Sequence, residues 1–170
     1  MDDIIYSNLK KTWKLLQENK NIDTIEIDGV QRSKFNNEGN LIYPTEKNII
    51  NFWKWFGNSK VIDEQGRPIV MYHGTNNPFT KVDIKKGAQQ IFWMASNKHN
   101  IESGESGAAN ISSILKMYAK IVNPADWNLY DKLSLGEFKG RGLDGAILID
   151  KDKTFDAFVF NSNQVKIIGN

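Results

Sequence analysis

His73 and Gly74 are where chemistry concentrates in this chain. They sit in Arg67-Pro68-Ile69-Val70-Met71-Tyr72-His73-Gly74-Thr75, which reads as a strand running into a polar turn. Ile69, Val70, Met71 and Tyr72 are β-branched, apolar or aromatic, as a half-buried strand requires. Pro68 suits a strand's first residue, where no ladder donor is lost. Gly74 lets the main chain turn sharply and lets a ligand come close to it. A histidine at that point, beside an exposed amide and carbonyl, can grip a small polar ligand. The plainer alternative is a turn histidine bonded to a neighbouring carbonyl.

Other chemistries are poorly supplied. The chain has no cysteine, which removes disulfides and thiolate reactions. Its two histidines are His73 and His99, and without thiolates a zinc site is not expected. His99 falls in a polar stretch that reads as solvated. The phosphate loop GxxxxGK[ST] and the hydrolase elbow GxSxG are absent. With 170 residues, 40% of them hydrophobic, the chain suits one domain with a small N-terminal extension. A formal net charge of +2 is too small to argue for nucleic acid or a membrane surface. No apolar run is long enough to cross a bilayer, and the first residues do not read as a signal peptide, so the cytoplasm is the expected compartment.

The elements that must position His73 follow from periodicity. Ile4, Ile5, Leu9, Trp13, Leu15 and Leu16 have helical spacing over 4–18. Thr24-Ile25-Glu26-Ile27 before Asp28-Gly29 predicts a hairpin, so residues 1–44 form a helix with a short β extension. The main domain is then 45–170. Thr45 is a good N-cap, Ile49, Ile50, Phe52, Trp53 and Phe56 share one helical face, and Gly57 stops that helix. The aromatic stripe reads as a core face in preference to a partner surface. Val61-Ile62 and Ile69–Tyr72 pair as a hairpin around Asp63–Arg67. Residues 76–88, with Lys81, Lys85 and Lys86, read as a solvated loop. Gln90–Ala95 is a strand, and 96–110 a mobile, Ser/Asn/Gly/Glu-rich loop. From the residues alone, 111–122 fits helix or strand, closed by Asn123-Pro124. Leu133–Phe138 reads as a short helix. Gly140, Gly142 and Gly145 bracket a turn. Ala146–Ile149, Phe155–Phe160 and Gln164–Ile168 complete the strands. Short strands with a few helices make an α+β fold.

A resemblance emerges from these blocks. Residues 52–75, from Phe52 to Thr75, resemble the opening of the ADP-ribosyltransferase-like domains of polyvalent proteins in phages and other mobile elements. Ile91-Phe92-Trp93-Met94-Ala95-Ser96, Ile121-Val122-Asn123-Pro124, Gly142–Ile147 and Val159–Lys166 resemble later motifs in the same order. The resemblance spans roughly 50–170 and argues that 113–122 is a strand. It implies two small, bent antiparallel sheets with an NAD+ cleft between them. It implies that His73 bonds the adenosine ribose, that the main chain of Gly74 holds the nicotinamide carboxamide, and that Thr75 assists. It puts Trp93 where a tyrosine usually stacks on nicotinamide, and Gln164 where many such enzymes carry glutamate.

The chemistry rationalises these residue types. Cleaving the nicotinamide–ribose bond builds positive charge on the sugar. Glutamine can orient a ribose hydroxyl but supplies neither charge nor a base. Asp144, Asp156, Glu102 and Glu105 are the candidates for a carboxylate. The function implied is NAD+-dependent mono-ADP-ribosyl transfer to a macromolecule, with a host or defence protein as target, NAD+ as substrate and no metal. The alternatives are an NAD+ glycohydrolase and a weakly active copy that binds NAD+ or a partner.

Overall fold

The computed structural model describes residues 3–86, 88–103 and 111–169. Helix α1 (Asp3–Asp23) leads into a two-stranded ribbon, β1 (Thr24–Ile27) and β2 (Val30–Ser33). The ribbon turns through Asp28 and Gly29 at φ of 50° and 80°, the paired left-handed conformation of a tight hairpin. Helix α2 (Glu46–Phe56) begins where expected. The Thr45 hydroxyl accepts from the Asn48 amide at 3.3 Å, and the Gly57 amide closes the last turn on the Trp53 carbonyl at 2.8 Å.

The body of the protein is a seven-stranded sheet. Its strands are β3 (Met71–Thr75), β4 (Phe92–Ala95), β5 (Ser113–Ala119), β6 (Pro124–Ala125), β7 (Gly145–Ile149), β8 (Phe155–Val159) and β9 (Val165–Ile167). Their order is β6-β7-β8-β4-β3-β5-β9, antiparallel throughout except for β6 with β7. Three short helices accompany them: α3 (Lys98–Glu102), α4 (Trp127–Lys132) and α5 (Leu135–Gly140). The α+β class expected from the sequence is what forms, and β5 resolves the ambiguous 111–122 segment as a strand.

The expected two sheets survive as two halves of one. β3 and β4 share a single register pair, Tyr72↔Ala95, whereas β3 pairs with β5 over five residues and β4 with β8 over four. The halves β3-β5-β9 and β6-β7-β8-β4 pack against each other through Met71, Met117 and Ala119 on one side and Phe92, Met94, Ala157 and Val159 on the other. The opposite face of the first half is covered by α2, whose Phe52 and Phe56 meet Val70 and Tyr118. Ile27 and Ile42 join that cluster, so the ribbon and the segment after it belong to the same packing. The opposite face of the second half carries Phe158, Ala146 and Leu148 against Phe138.

Some local expectations are revised. Helix α4 is absent from the sequence reading, and the helix placed at Leu133–Phe138 starts at Leu135, with the Ser134 hydroxyl accepting from the Glu137 amide. Ser134 opens a new helix by capping it, so Leu133 ends α4 in extended conformation. Within the stretch read as a mobile loop, 98–102 is helical. Glu105 lies outside the described residues. Gln164 belongs to a 3-10 turn, Ser162–Gln164, and β9 begins one residue later.

Candidate active site

The seam between the sheet halves is where His73 sits. Continuing the register beyond Tyr72↔Ala95 would place His73 opposite Met94, but the ladder has ended. The imidazole spans the opening instead, with Nδ1 2.7 Å from the Trp93 carbonyl oxygen. A carbonyl only accepts, so Nδ1 carries the proton, and in the neutral ring Nε2 is left as an acceptor. The ring stacks on Phe92 at 4.2 Å between centroids and meets the edge of Phe79 at 5.9 Å. Burial among these rings lowers the histidine's pKa, and the bond to Trp93 offsets that only in part. His73 is therefore a neutral acceptor at neutral pH, fixed at the mouth of the seam. The plainer sequence reading holds in that the ring is bonded to a nearby carbonyl, and its second nitrogen remains an acceptor.

Gly74 has a specific steric reason to be glycine. A β-carbon there would lie 2.6 Å from Ile111 Cδ1 and 2.8 Å from Ile101 Cγ2. Thr75 closes the turn after β3, its hydroxyl donating to the Asn77 carbonyl at 3.2 Å and accepting from the Asn77 amide at 3.1 Å.

The other two candidates do not join His73 on one face. Phe92 points towards His73, so Trp93, the next residue, points through the sheet to the other side. Its indole packs edge-on to Phe158 at 4.8 Å and to Tyr130 at 6.1 Å. Only the Trp93 carbonyl reaches the seam. Gln164 is 7% exposed. Its Oε1 accepts from the Phe160 amide at 3.1 Å and the Asn161 amide at 3.0 Å. Its Nε2 donates to the Lys120 carbonyl at 3.0 Å and the Asp144 carbonyl at 2.8 Å. Four bonds use the whole capacity of the amide, leaving nothing for a ribose hydroxyl. Gln164 is a clasp that ties the ends of β5 and β8 to the start of β7. The expected convergence of imidazole, indole and amide on one pocket is thus replaced by three separate environments.

The carboxylate candidates separate in the same way. Asp144 accepts from the Val122 and Asn123 amides, both at 2.8 Å, and so caps the turn before β6. Asp156 lies on β8 opposite Ala95 and Leu148. Glu102 is exposed, 3.5 Å from Lys98, and lines a cavity of about 600 Å³ over β3. Tyr72, Lys98, Ile101, Ile111 and Lys116 also line it, and Ile101 and Ile111 are the side chains that cover Gly74. The cavity therefore lies on the Tyr72 face of β3, whereas the His73 ring, one residue along, packs with Phe92 on the other face.

One cluster beside the cavity was not legible in the sequence. The Tyr72 hydroxyl donates a short hydrogen bond to Glu38 Oε1, and Lys116 Nζ lies 3.2 Å from Glu38 Oε2. Burial and then the Glu38 carboxylate push the Tyr72 pKa up to about 12. Glu38 comes from a loop held by Asn36, whose Oδ1 accepts from the Glu38 amide at 2.9 Å. No spacing rule links residues 38, 72 and 116.

One further motif is read by its structural context. Gly140, Gly142 and Gly145 also spell GxGxxG, but the run leads from α5 into β7. A dinucleotide-binding turn needs the reverse order, strand into helix. Among the described residues no group of three or more His, Asp or Glu side chains is placed to hold a metal ion. Nor is any helix among them long and apolar enough to cross a membrane.

No curated protein and no solved structure matches the chain. One family model does, that of the ADP-ribosyltransferase in polyvalent proteins, over residues 63–137. The matched span holds β3, β4, α3 and β5, and so includes His73, Gly74, Thr75, Trp93 and Glu102, while Gln164 lies beyond it. Over the part of the chain that carries the seam histidine and the strands around it, this protein is similar to the ADP-ribosyltransferase domain of polyvalent proteins, as the order of its motifs implied.

Proposed function

We propose that this protein cleaves NAD+ and transfers ADP-ribose to a protein target. The observation that carries the reading is His73, neutral and with Nε2 left as an acceptor, at the seam between β3 and β4, two strands inside the span similar to the ADP-ribosyltransferase family. In this reading Nε2 accepts a ribose hydroxyl of the adenosine half. The main chain at Gly74 holds the carboxamide of nicotinamide, which keeps the leaving group in place as its bond to ribose breaks. Charge growing on the sugar needs a carboxylate. Glu102, which lines the cavity on the Tyr72 face of β3, is the nearest candidate to Gly74, and in this reading it would have to reach past Ile101 and Ile111.

A second reading has its own support. Gln164 has no charge and no free hydrogen-bonding group, and Ile101 and Ile111 fill the face of Gly74. A copy of the fold that binds NAD+, or a partner, without turnover would look like this.

Labelled NAD+ incubated with a cell extract separates the readings. Transfer predicts a labelled protein band that disappears in His73→Ala. Glycohydrolase activity predicts free nicotinamide and ADP-ribose with no band. A binding copy predicts neither, with an NAD+-dependent rise in melting temperature that His73→Ala removes. Absence of all three responses in the folded protein would overturn the NAD+ assignment.

A further inference from the structure

A second groove, remote from His73, carries positive charge that is unpaired among the described residues. It has a volume of about 670 Å³ and lies between the ribbon β1–β2 and the segment Gly57–Arg67. Arg32, Lys60 and Arg67 line it, Trp53 forms part of its wall, and Asp23 is the one carboxylate among the described lining residues.

Arg32 is the most informative of these. Its guanidinium carbon lies 4.8 Å from the centroid of the Trp53 ring. The indole beneath is itself fixed, 3% exposed and donating from Nε1 to the Ser33 carbonyl at 2.8 Å. The guanidinium is thus held over a fixed ring at cation–π distance, which restricts where its N–H donors can go. Among the described residues neither Arg32 nor Lys60 belongs to an ion pair. Arg67 differs: its Nε is 2.7 Å from Asp63, and it donates to Gln65 at 3.1 Å. It serves as a wall, and Arg32 and Lys60 are the cations with capacity to spare.

We propose that this groove binds the phosphate group of a small molecule through Arg32 and Lys60. An ordered guanidinium offers two parallel donors to an anion's oxygens, and the ammonium adds a second charge without demanding a direction. Together they suit a dianion better than a single carboxylate. The two unpaired cations share one bounded groove, and the chain's net charge is only +2, which argues against an extended nucleic-acid track. The groove's walls come from the ribbon on one side and the body on the other, so an anion there would pin the two together.

The test uses inorganic pyrophosphate as probe, titrated into the full chain by calorimetry with ionic strength held constant by sodium chloride. Saturable binding is expected, weakened at least tenfold in Arg32→Gln and in Lys60→Gln. Arg32→Lys, which keeps the charge but loses the guanidinium's fork of donors, should fall between. Circular dichroism confirms that each variant is folded, and Lys60, being exposed, carries the test if Arg32→Gln does not fold. Unchanged affinity in the folded Gln variants would overturn the proposal, and so would the absence of saturable binding. A loss in Lys116→Gln in their place would put the anion in the cavity over β3 and also overturn it. Citrate binding as tightly as pyrophosphate would refute the phosphate assignment.

Discussion

His73 and Gln164 show how much a side chain's role depends on where its bonds go. Both are polar, both were marked as site residues, and both are held by main-chain groups. His73 spends one nitrogen and keeps the other. Gln164 spends everything. Replacing Gln164 by alanine would strand two amides and two carbonyls in a nearly closed site, at about 1–3 kcal/mol for each group left unsatisfied. Gln164→Ala is therefore expected to lose about 3 kcal/mol or more of stability, read from the midpoint of urea unfolding. Gln164→Glu should also destabilise, because a carboxylate would face the carbonyls of Lys120 and Asp144, and it should not raise turnover. A Gln164→Ala protein of unchanged stability would return the residue to the ligand site. His73 has a pH signature. Folded His73 holds its proton less tightly than the unfolded chain, whose value is near 6.5, so the unfolded state takes up protons first as pH falls. Its contribution to stability is full above about pH 6.5 and is lost below it, until the folded ring protonates as well. His73→Gln should flatten the stability profile across that window in thermal melts, and a profile identical to wild type would show that the ring is not buried as described.

The seam between β3 and β4 is the decisive feature at the scale of elements. Strand β3 is fully paired with β5 and barely paired with β4, so the ladder between the two halves ends at His73 and Gly74. Sequence periodicity predicts that both strands exist, because each alternates or is continuously apolar. It does not say where a ladder stops, because that depends on how neighbouring halves pack. Gly74 is the most constrained point of β3. Gly74→Ala would drive a methyl group against Ile101 and Ile111 at 2.6–2.8 Å. Those are side-chain ends that can shift, so a cost of about 1–3 kcal/mol is expected, as for overpacking elsewhere. In the proposed reading the Gly74 main chain holds the nicotinamide carboxamide, so an NAD+-dependent thermal shift should weaken together with stability. Gly74→Ala with wild-type stability would mean that α3 yields freely. By contrast, α2 was legible in detail: its N-cap, apolar face and glycine stop are all local signals, and all three are used.

At the scale of the molecule, the N-terminal 44 residues divide by packing. The described apolar residues of α1 stand free of the core, with Trp13 65% exposed and Leu9 62%. The ribbon and the segment after it are different. Ile27 and Ile42 are buried with Phe52, and the Asn36 side chain donates to the Tyr118 hydroxyl at 3.1 Å. Removing residues 1–14 should leave the melting temperature nearly unchanged, whereas removing 1–43 should lower it sharply or prevent folding. Losing those contacts uncovers Phe52 and Tyr118, and each large buried apolar side chain is worth about 1.5–3 kcal/mol. Equal melting temperatures for the two truncations would show that the ribbon adds nothing to the core. The longer deletion also removes Glu38, so it should return Tyr72 towards its ordinary pKa, a change visible in ultraviolet titration.

What the sequence alone determined here is local or serial: the caps of α2, the hairpin at Asp28-Gly29, the α+β class, and a run of motifs in order that pointed to the family matched over 63–137. These survive because each depends on residues a few positions apart, or on the order of blocks along the chain. Which side chains meet was decided by tertiary structure. Trp93 faces away from His73 because its neighbour Phe92 took the inner face, and Gln164 is consumed by Lys120, Asp144, Phe160 and Asn161, groups up to 44 residues distant. A hydrogen-bonding group can be spent only once, and no sequence pattern records which of several possible partners folding will bring within 3 Å.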